Sequence, residues 1–280
     1  MVVLGSGREF LKMKFLAAAI QMLASDDKQG NLRAAEVKIR HSAARGAKLV
    51  ALPEVFNWRG DKAEEKKNAE SIPGPTSDWM ARLARELAVY LLAGSLLEEI
   101  PGDRRSYNTS LFFGPDGKEL ARYRKIHLFD VQIERGVSTL ESETRQPGAE
   151  VVVADTEFGR MGLTICYDLR FPELYRALSG KGAQVILVPS AFTALTGEAH
   201  WEPLLRARAI ENQAYIVAPD QVGHNPKSFA TYGNSMIVDP WGRILARAPD
   251  MPAVIFAEID LAYLAKVRRE LPALTHRKLP

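Results

Sequence analysis

The chain has 280 residues, 46% hydrophobic and 25% charged, and its 37 basic and 34 acidic residues give a net charge of +3. This composition is typical of a globular protein long enough for one large domain. The basic residues alternate with acidic ones instead of forming a stripe, which argues against a nucleic-acid partner. No run of about 18 apolar residues is present, so the sequence predicts no membrane partner and no transmembrane helix.

The N-terminus and the cysteine content bear on the compartment. Residues 1–12 lack the apolar segment and small-residue cleavage site of a secretory signal. We expect them to be a leader, followed by a single domain over residues 13–280. Cys166 is the only cysteine, which excludes an internal disulfide and a cysteine-based metal cluster. A lone thiol without an export signal favours the reducing cytoplasm.

Apolar periodicity and turn residues predict an alternation of strands and helices along the chain. Strands are predicted over 15–22, 48–52, 89–94, 108–113, 120–124, 151–156, 161–165, 184–188, 215–218, 235–238 and 244–246. Helices are predicted over 31–45, 62–70, 76–88, 173–181 and 201–213, and a long loop over 126–150.

This order of elements predicts an α/β fold. Strands that alternate with helices favour parallel crossover units, and the hairpins among them indicate that the sheets are mixed. An α-β-β-α sandwich, with two mixed β-sheets face to face and helices outside, would bury the nearly continuous apolar strands on both faces. Residues 46–54 and 182–190 also resemble each other, each running from a glycine through an apolar strand to a proline.

Cys166 lies where an apolar strand ends and a helix begins near Pro172. α/β enzymes place nucleophiles at this position. A free cysteine is also among the most buried residue types, so a structural thiol is the alternative. Because an unperturbed thiol has a pKa of about 8.5, the catalytic interpretation requires a base and a cation elsewhere in the chain.

Glu54 and Lys125 also follow apolar strands, so the three side chains are predicted to meet at one sheet edge. A carboxylate near the thiol can accept its proton, and an ammonium group can stabilise the thiolate and then an oxyanion. The alternatives are a surface turn for Glu54 and a solvated cation for Lys125.

Three blocks of sequence carry a resemblance to a known family. They are residues 52–54 (Leu-Pro-Glu), 123–130 (Tyr-Arg-Lys-Ile-His-Leu-Phe-Asp) and 165–173 (Ile-Cys-Tyr-Asp-Leu-Arg-Phe-Pro-Glu). In this order and spacing they resemble the signature blocks of the nitrilase superfamily of carbon–nitrogen hydrolases. Further blocks, among them 189–193, 196–202 and 232–235, resemble its Nit amidase branch of omega-amidases and deaminated-glutathione amidases.

The resemblance implies the same sandwich fold and three catalytic roles. Glu54 matches the general base, Lys125 the oxyanion-stabilising cation and Cys166 the nucleophile. A second glutamate that positions substrate and lysine matches Glu141, with Glu134 and Glu143 as the alternatives.

The expected reaction cleaves an amide to acid and ammonia through a thioester. The backbone N–H of Tyr167 would hold the oxyanion together with Lys125. Neither a metal nor an organic cofactor is expected, and His127 is interpreted as a structural imidazole. A nitrilase or N-carbamoyl amide hydrolase with the same triad is one alternative, and a catalytically inactive binding member of the family is another.

Substrates of the Nit branch carry a carboxylate, and Arg170 is the predicted partner for it because a guanidinium binds a carboxylate in bidentate fashion. The alternative is a salt bridge to Asp168 or Glu173. Phe192 and Thr193 follow the strand at 184–188 and are predicted to line the substrate pocket, with core packing or a turn as the alternative. The loop at 130–136 lacks the proline usual in this branch.

A homodimer or higher homo-oligomer is also predicted. The helix at 201–213 carries apolar residues that fit either the core or a subunit interface. The resemblance favours the interface, and residues 261–280 are expected to extend over the neighbouring copy. A solvated basic tail is the alternative for that segment.

Overall fold

The computed structural model describes residues 14–134 and 137–279. Its strands are β1 (Lys14–Gln21), β2 (Leu49–Ala51), β3 (Tyr90–Glu99), β4 (Ser106–Phe113), β5 (Glu119–Arg124), β6 (Asp130–Gln132), β7 (Ser138–Leu140), β8 (Arg145–Gln146), β9 (Val153–Thr156), β10 (Gly159–Leu163), β11 (Val185–Leu187), β12 (Tyr215–Ala218), β13 (Val222–Gly223), β14 (Thr231–Tyr232), β15 (Met236–Val238), β16 (Ile244–Arg247) and β17 (Ala253–Asp260). Its helices are α1 (Lys28–Ala44), α2 (Glu65–Asn68), α3 (Pro75–Leu87), α4 (Pro172–Gly180), α5 (Ala194–Asn212) and α6 (Leu261–Glu270).

Two mixed sheets form the centre of the molecule. The first has the order β17-β1-β2-β3-β4-β5, with β8 beside β4, and the second has the order β16-β15-β12-β11-β10-β9. In the first sheet β2 lies between parallel neighbours β1 and β3. In the second sheet β11 lies in the same way between β10 and β12. The resemblance between residues 46–54 and 182–190 therefore corresponds to two equivalent central strands.

Alternate residues of β1 show how the layers form. Phe15 and Ala17 face a core shared with Leu163 and Val185 of the second sheet. Ala18 and Ile20, which point to the other face, pack in a separate core with α1 and α3. Helices α4 and α5 contribute to the core on the far side of the second sheet. Because successive strand residues face opposite sides, this pattern makes an α-β-β-α sandwich, and the predicted fold class is confirmed.

The structure corrects the prediction of a long loop over 126–150. This segment contains the hairpin β6–β7, a 3-10 turn at Glu141–Glu143 and strand β8. Local pattern does not predict these strands because they have two or three residues each and none of those residues is fully buried. The leader predicted at residues 1–12 lies outside the described residues.

Helix α5 also differs from the prediction, because it begins at Ala194 instead of near Trp201. Pro203 lies inside the helix, and Gly197 lies in its first turn, so its N-terminal half has weak helix propensity. Thr193, directly before it, has the extended backbone of an N-cap residue. The charged helix predicted at 62–70 is a 3-10 turn followed by the short α2.

The C-terminal helix α6 packs on its own chain through Leu261, Leu264 and Val267. Arg268 donates hydrogen bonds to the carbonyl oxygens of Gln213 and Ala183. The extension of residues 261–280 over a neighbouring copy stays a prediction. None of the helices in the described part of the chain has the length and hydropathy needed to cross a bilayer.

Candidate active site

A cavity of about 420 Å³ opens at the carboxyl ends of the central strands. All eight site residues predicted from the sequence line it. They are the four predicted catalytic residues Glu54, Lys125, Glu141 and Cys166, and the four predicted substrate-binding residues Tyr167, Arg170, Phe192 and Thr193. Its volume is in the range usual for small-molecule sites.

Cys166 lies just after β10, at the first position of a 3-10 turn. Its N–H donates to the carbonyl of Pro189 at 2.9 Å, which connects it to the end of the neighbouring strand β11. Its φ angle is 48°, in the left-handed region. Such a conformation costs about 1–3 kcal/mol in a residue with a side chain and recurs at nucleophiles on sharp strand-to-helix turns.

Asp168 holds this turn in place and connects it to the segment that carries Lys125. Its carboxylate accepts hydrogen bonds from the N–H of Ile165 at 2.9 Å and the Tyr123 hydroxyl at 2.7 Å. It also accepts from the backbone N–H of His127 at 3.1 Å and lies 2.7 Å from the Nδ1 of that residue. His127 therefore connects the segment that carries Lys125 to the turn that carries Cys166, as expected for a structural imidazole.

Glu54 follows β2 and is buried with both carboxylate oxygens hydrogen-bonded. Oε1 accepts from Lys125 Nζ at 2.9 Å and from Asn108 Nδ2 at 2.7 Å. Oε2 accepts from the N–H of Ala191 at 2.9 Å. The backbone of Ala191 also acts to lower the pKa of the Cys166 thiol. Glu54 and Cys166 therefore lie in the same part of the cavity, next to Ala191.

Lys125 is the most buried member of the group, with 2% of its side chain exposed. Besides Glu54, its ammonium group donates to Glu141 Oε1 at 3.2 Å and Oε2 at 2.9 Å. Of the three glutamates considered from the sequence, Glu141 is the one at this site. Glu134 is exposed in the β6–β7 turn, and Glu143 pairs with Lys62 near the surface.

Further charges extend this group into a buried chain of ion pairs. Arg145 Nη1 donates to Glu141 Oε1. Another edge of the Arg145 guanidinium donates to Glu65, from Nη2 to Oε1 at 2.6 Å and from Nε to Oε2 at 3.2 Å. The order Glu54, Lys125, Glu141, Arg145, Glu65 alternates in charge, so each ionised group has an opposite neighbour. This arrangement compensates for the large desolvation cost of buried charges.

The network shifts the pKa values of its members in opposite directions. Burial alone would raise the pKa of Glu141, but Lys125 and Arg145 lower it to about 2. Burial would lower the pKa of Lys125, but Glu141 and Glu54 raise it well above its ordinary value. The pKa of the Cys166 thiol is raised well above 9.0 by burial and by Glu54, against the effect of Lys125. These shifts favour an ionised Glu141, a charged Lys125 and a protonated Cys166 in the substrate-free site.

The predicted substrate-binding residues form the other side of the cavity. The Arg170 guanidinium lies 5.7 Å from the Tyr167 ring centroid and 5.0 Å from that of Phe192. Arg170 Nη1 lies 3.1 Å from His200 Nδ1, which must accept because a guanidinium only donates. Among the described residues no carboxylate pairs with Arg170, so neither of the predicted alternatives, Asp168 or Glu173, is its partner.

Thr193 and the β6–β7 hairpin complete this side. Thr193 Oγ1 lies 2.6 Å from Thr196 Oγ1 at the start of α5. Val137, Ser138 and Thr139 line the cavity and directly follow the segment 130–136 that departs from the Nit pattern. Arg135 and Gly136 of that segment lie outside the described residues.

Sequence reasoning missed several groups at the site. Asn108 and the N–H of Ala191 hold Glu54, and Arg145 and Glu65 extend the ion-pair chain. Arg59 also lines the cavity. Asn108 does not stand out in the sequence, because it lies among polar residues in the first half of β4. These contacts depend on tertiary packing between segments that are distant in sequence.

Comparisons with known proteins agree with this geometry. The family model of carbon-nitrogen hydrolases matches residues 16–269. The deaminated glutathione amidase of Synechocystis sp. is 44% identical over 94% of this chain and 98% of its own length. The omega-amidase NIT2-A of Xenopus laevis is 42% identical over 95% of both. The crystal structure of the C. elegans NitFhit protein has a TM-score of 0.90 at 40% identity, covering 95% of this chain and 66% of that one.

The chain therefore belongs to the carbon-nitrogen hydrolase family. Within this family of enzymes it groups with the Nit branch, whose relatives named above are amidases. It is thus an amidase of the nitrilase superfamily.

Proposed function

We propose that the chain is a thiol-dependent amidase that cleaves a small amide bearing a carboxylate to an acid and ammonia. One observation carries this proposal: Glu54, Lys125 and Cys166 line one cavity, all three are buried, and the first two are hydrogen-bonded to each other. The similarity to an omega-amidase and a deaminated glutathione amidase supports an amide substrate.

The first half of the reaction forms a thioester. Glu54 takes the proton from Cys166 Sγ as the sulfur attacks the amide carbon. The carbonyl oxygen becomes an oxyanion, which Lys125 and the backbone N–H of Tyr167 stabilise. That N–H lies at the start of the 3-10 turn, where helical N–H groups lack intrahelical acceptors. The C–N bond then breaks, and Glu54 returns the proton to the leaving nitrogen.

The second half hydrolyses the thioester. Glu54 takes a proton from a water molecule, the oxygen attacks the thioester carbon, and Sγ leaves and regains its proton. The balance is amide plus water to carboxylic acid plus ammonia. Lys125 remains an electrostatic group throughout, because its raised pKa keeps it charged at every working pH. Proton transfer therefore rests on Glu54 alone.

Glu141 and Arg170 have supporting roles in this proposal. Glu141 fixes the ammonium of Lys125 through both carboxylate oxygens. Arg170 binds the carboxylate of the substrate, because its guanidinium lines the cavity and has no carboxylate partner in the described chain. The aromatic rings of Tyr167 and Phe192 hold the guanidinium in position, and Thr193 contributes to the wall beside them.

A substrate panel tests this proposal. Ammonia release is measured with alpha-ketoglutaramate and succinamate, and cleavage of deaminated glutathione is followed by its acid product. Aliphatic nitriles and N-carbamoyl amino acids form the comparison set. We expect turnover of the amides and none by Cys166→Ala, whose circular dichroism should match the parent. Turnover of a nitrile or carbamoyl compound alone would contradict the amidase assignment, and turnover of no compound would favour an inactive binding protein.

We further propose that the protein acts in the cytoplasm as a homodimer. A reducing compartment would keep its single thiol free. Ile210 on α5 and the nearby Trp241 are 49% and 52% exposed, which supports a subunit interface on this face. We expect Ile210→Glu to shift the molecular mass in light scattering from dimer to monomer. A monomeric parent would contradict the dimer.

A further inference from the structure

Asp220 is a buried carboxyl group beside the catalytic site that has no role in the proposed reaction. It lies two residues after β12, is fully buried and does not line the cavity. Its Oδ1 accepts a hydrogen bond from the N–H of Phe192 at 2.9 Å. Its Oδ2 is buried and has no hydrogen-bond partner in the described chain. No cation among the described residues forms an ion pair with Asp220.

Asp168 provides a comparison, because it is equally buried near the same site. Its carboxylate accepts hydrogen bonds from two backbone N–H groups and from the Tyr123 hydroxyl. Burial disfavours the charged form of a carboxyl group unless several donors or a cation compensate. Asp168 has such donors, whereas Asp220 has a single one within the described chain. The surroundings of Asp220 therefore suit a neutral carboxyl group.

Asp220 belongs to one of two chain segments that hold Glu54. The N–H of Gln221 donates to the carbonyl oxygen of Ser190 at 3.0 Å, which joins the two segments. The backbone of Glu54 contacts both, because its N–H donates to the Ser190 carbonyl oxygen at 3.3 Å and its carbonyl oxygen accepts from Gln221 Nε2 at 2.9 Å. The carboxylate of Glu54 is held by the first segment through the N–H of Ala191.

Two consecutive N–H groups thus hold two carboxyl groups. Ala191 donates to Glu54, and Phe192 donates to Asp220. Because neighbouring planar peptide groups share one Cα, the bond to Asp220 also restricts the direction of the Ala191 N–H. Two carboxyl groups in one site rarely both ionise, and the one with a cation keeps the charge. Glu54 has the Lys125 ammonium as its partner, so Asp220 is the group expected to hold a proton.

The charged groups around Asp220 support the same assignment. Burial raises the pKa of Asp220 well above its usual 3.8, and the nearby Glu54 adds to this effect. The N–H of Phe192 and the Arg59 guanidinium act in the opposite direction without cancelling it. Asp220 in turn acts to raise the pKa of the Cys166 thiol. An ionised Asp220 would therefore oppose formation of the thiolate, and a neutral one would not.

We propose that Asp220 is a positioning residue that acts through Glu54, with a neutral carboxyl group that fixes the turn formed by Ala191 and Phe192. This inference rests on the proposed function. The neutral group supplies the acceptor that the Phe192 N–H requires and adds no second negative charge where the thiolate and the oxyanion form. An amide of the same shape should therefore replace it, whereas a methyl group should not.

Two substitutions of Asp220 separate the acceptor from the charge. Asp220→Ala removes the acceptor of the Phe192 N–H, so kcat for succinamate should fall by about 10- to 100-fold while KM changes by less than about 3-fold. Asp220→Asn keeps an acceptor and is always neutral, so it should retain at least about a third of the parental kcat. An equal loss in both variants, or a parental kcat in Asp220→Ala, would overturn the proposal.

A matched variant elsewhere tests whether the effect is only one of stability. Asp260 accepts from the N–H groups of Ala262 and Tyr263 at the start of α6 and does not line the cavity. Asp260→Ala should lower the melting temperature and leave kcat and KM for succinamate unchanged. If it reduced kcat as much as Asp220→Ala at a similar loss of melting temperature, the positioning role would be refuted.

Infrared difference spectroscopy reports the protonation state of Asp220 without turnover. Subtracting the spectrum of Asp220→Asn from that of the parent at neutral pH should leave the carbonyl stretch of a protonated carboxyl group. A carboxylate stretch in its place would refute the neutral carboxyl group, whatever the kinetic results. This measurement also decides the matter if Asp220→Ala fails to fold.

Alkylation of the single thiol separates this inference from the proposed chemistry. Iodoacetamide should react with Cys166 at least about 10-fold more slowly in Asp220→Ala than in the parent, because Glu54 is no longer held to take the proton, and Asp220→Asn should react like the parent. This pattern without amide hydrolysis by the parent would support the role of Asp220 and contradict the amidase mechanism. Equal alkylation rates in all three proteins, with normal amide turnover by the parent, would refute the role of Asp220 alone.

Discussion

The two sides of the catalytic cavity treat their charges differently. On one side Glu54, Lys125 and Glu141 are buried with every charged group paired or hydrogen-bonded inside the protein. On the other side Arg59 and Arg170 line the same cavity without a carboxylate partner in the described chain. A paired charge is already oriented before substrate arrives, whereas an unpaired guanidinium retains its capacity to bind an anion.

This difference suggests which property each side controls. Groups that act on the reacting atoms gain from fixed partners, because fixed dipoles require no reorganisation when charge develops. Changes on the paired side, formed by Glu54, Lys125 and Glu141, should therefore lower kcat or stability. Changes on the unpaired side, formed by Arg59 and Arg170, should raise KM. Substitutions on each side can test this division.

Glu54→Gln tests the proposed general base on the paired side. The amide keeps the size of the side chain but cannot accept the proton of Cys166. We expect kcat for succinamate to fall by about 10²–10⁴-fold, with KM changed by less than about 3-fold. Stopped assays of ammonia release measure both. A parental kcat would show that another group is the base.

Glu141→Gln tests the paired side through stability. With a pKa of about 2 against an ordinary 4.5, the Glu141 carboxylate contributes stability above pH 4.5 that is lost as the pH falls toward 2. By linkage this contribution is about 3 kcal/mol. We expect the parent to lose unfolding free energy across this window in urea titrations, and Glu141→Gln to start lower and show a shallower slope.

The matched control is Glu143→Gln, because Glu143 is two residues away and 60% of its side chain is exposed. It should reproduce the stability and activity of the parent. If the two variants behaved alike, the contacts of Glu141 with Lys125 and Arg145 would have no energetic role.

Arg170→Met tests the unpaired side. Losing a charged hydrogen bond to the substrate carboxylate should raise KM for succinamate by about 10- to 100-fold, while kcat changes little. Butyramide, which lacks the carboxylate, is the internal control and should be hydrolysed equally by variant and parent. A fall in kcat for both amides would place Arg170 with the catalytic groups instead.

The sequence predicted the paired side better than the unpaired side for a physical reason. Glu54, Lys125 and Cys166 each follow an apolar strand, and strand ends can be found from local pattern. The partners of these residues cannot, because the pairing of Arg145 with Glu65 joins segments 80 residues apart. Arg59 gave no signal, since a buried arginine without a carboxylate is defined only by its surroundings.

The fold, like the site, was only partly predictable from the sequence. The strands of the two large sheets have enough apolar residues to show a period, and the predicted sandwich followed from them. The sequence did not predict the hairpin β6–β7, which is short and exposed, or the first turns of α5, which contain Gly197. Both border the cavity, so the regions least visible in the sequence are those that shape the substrate entrance.

The smallest expected signal concerns the thiol itself. Because burial and Glu54 raise the pKa of Cys166 well above 9.0, the substrate-free enzyme should contain no thiolate between pH 6 and 9. The difference in absorbance at about 240 nm between the parent and Cys166→Ala should therefore stay flat over this range, since the thiolate is the absorbing form. A rise centred below pH 8 would mean that Lys125 stabilises a thiolate before substrate binds. The paired side would then hold a ready-made nucleophile, and Glu54 would act first on the leaving nitrogen and on water.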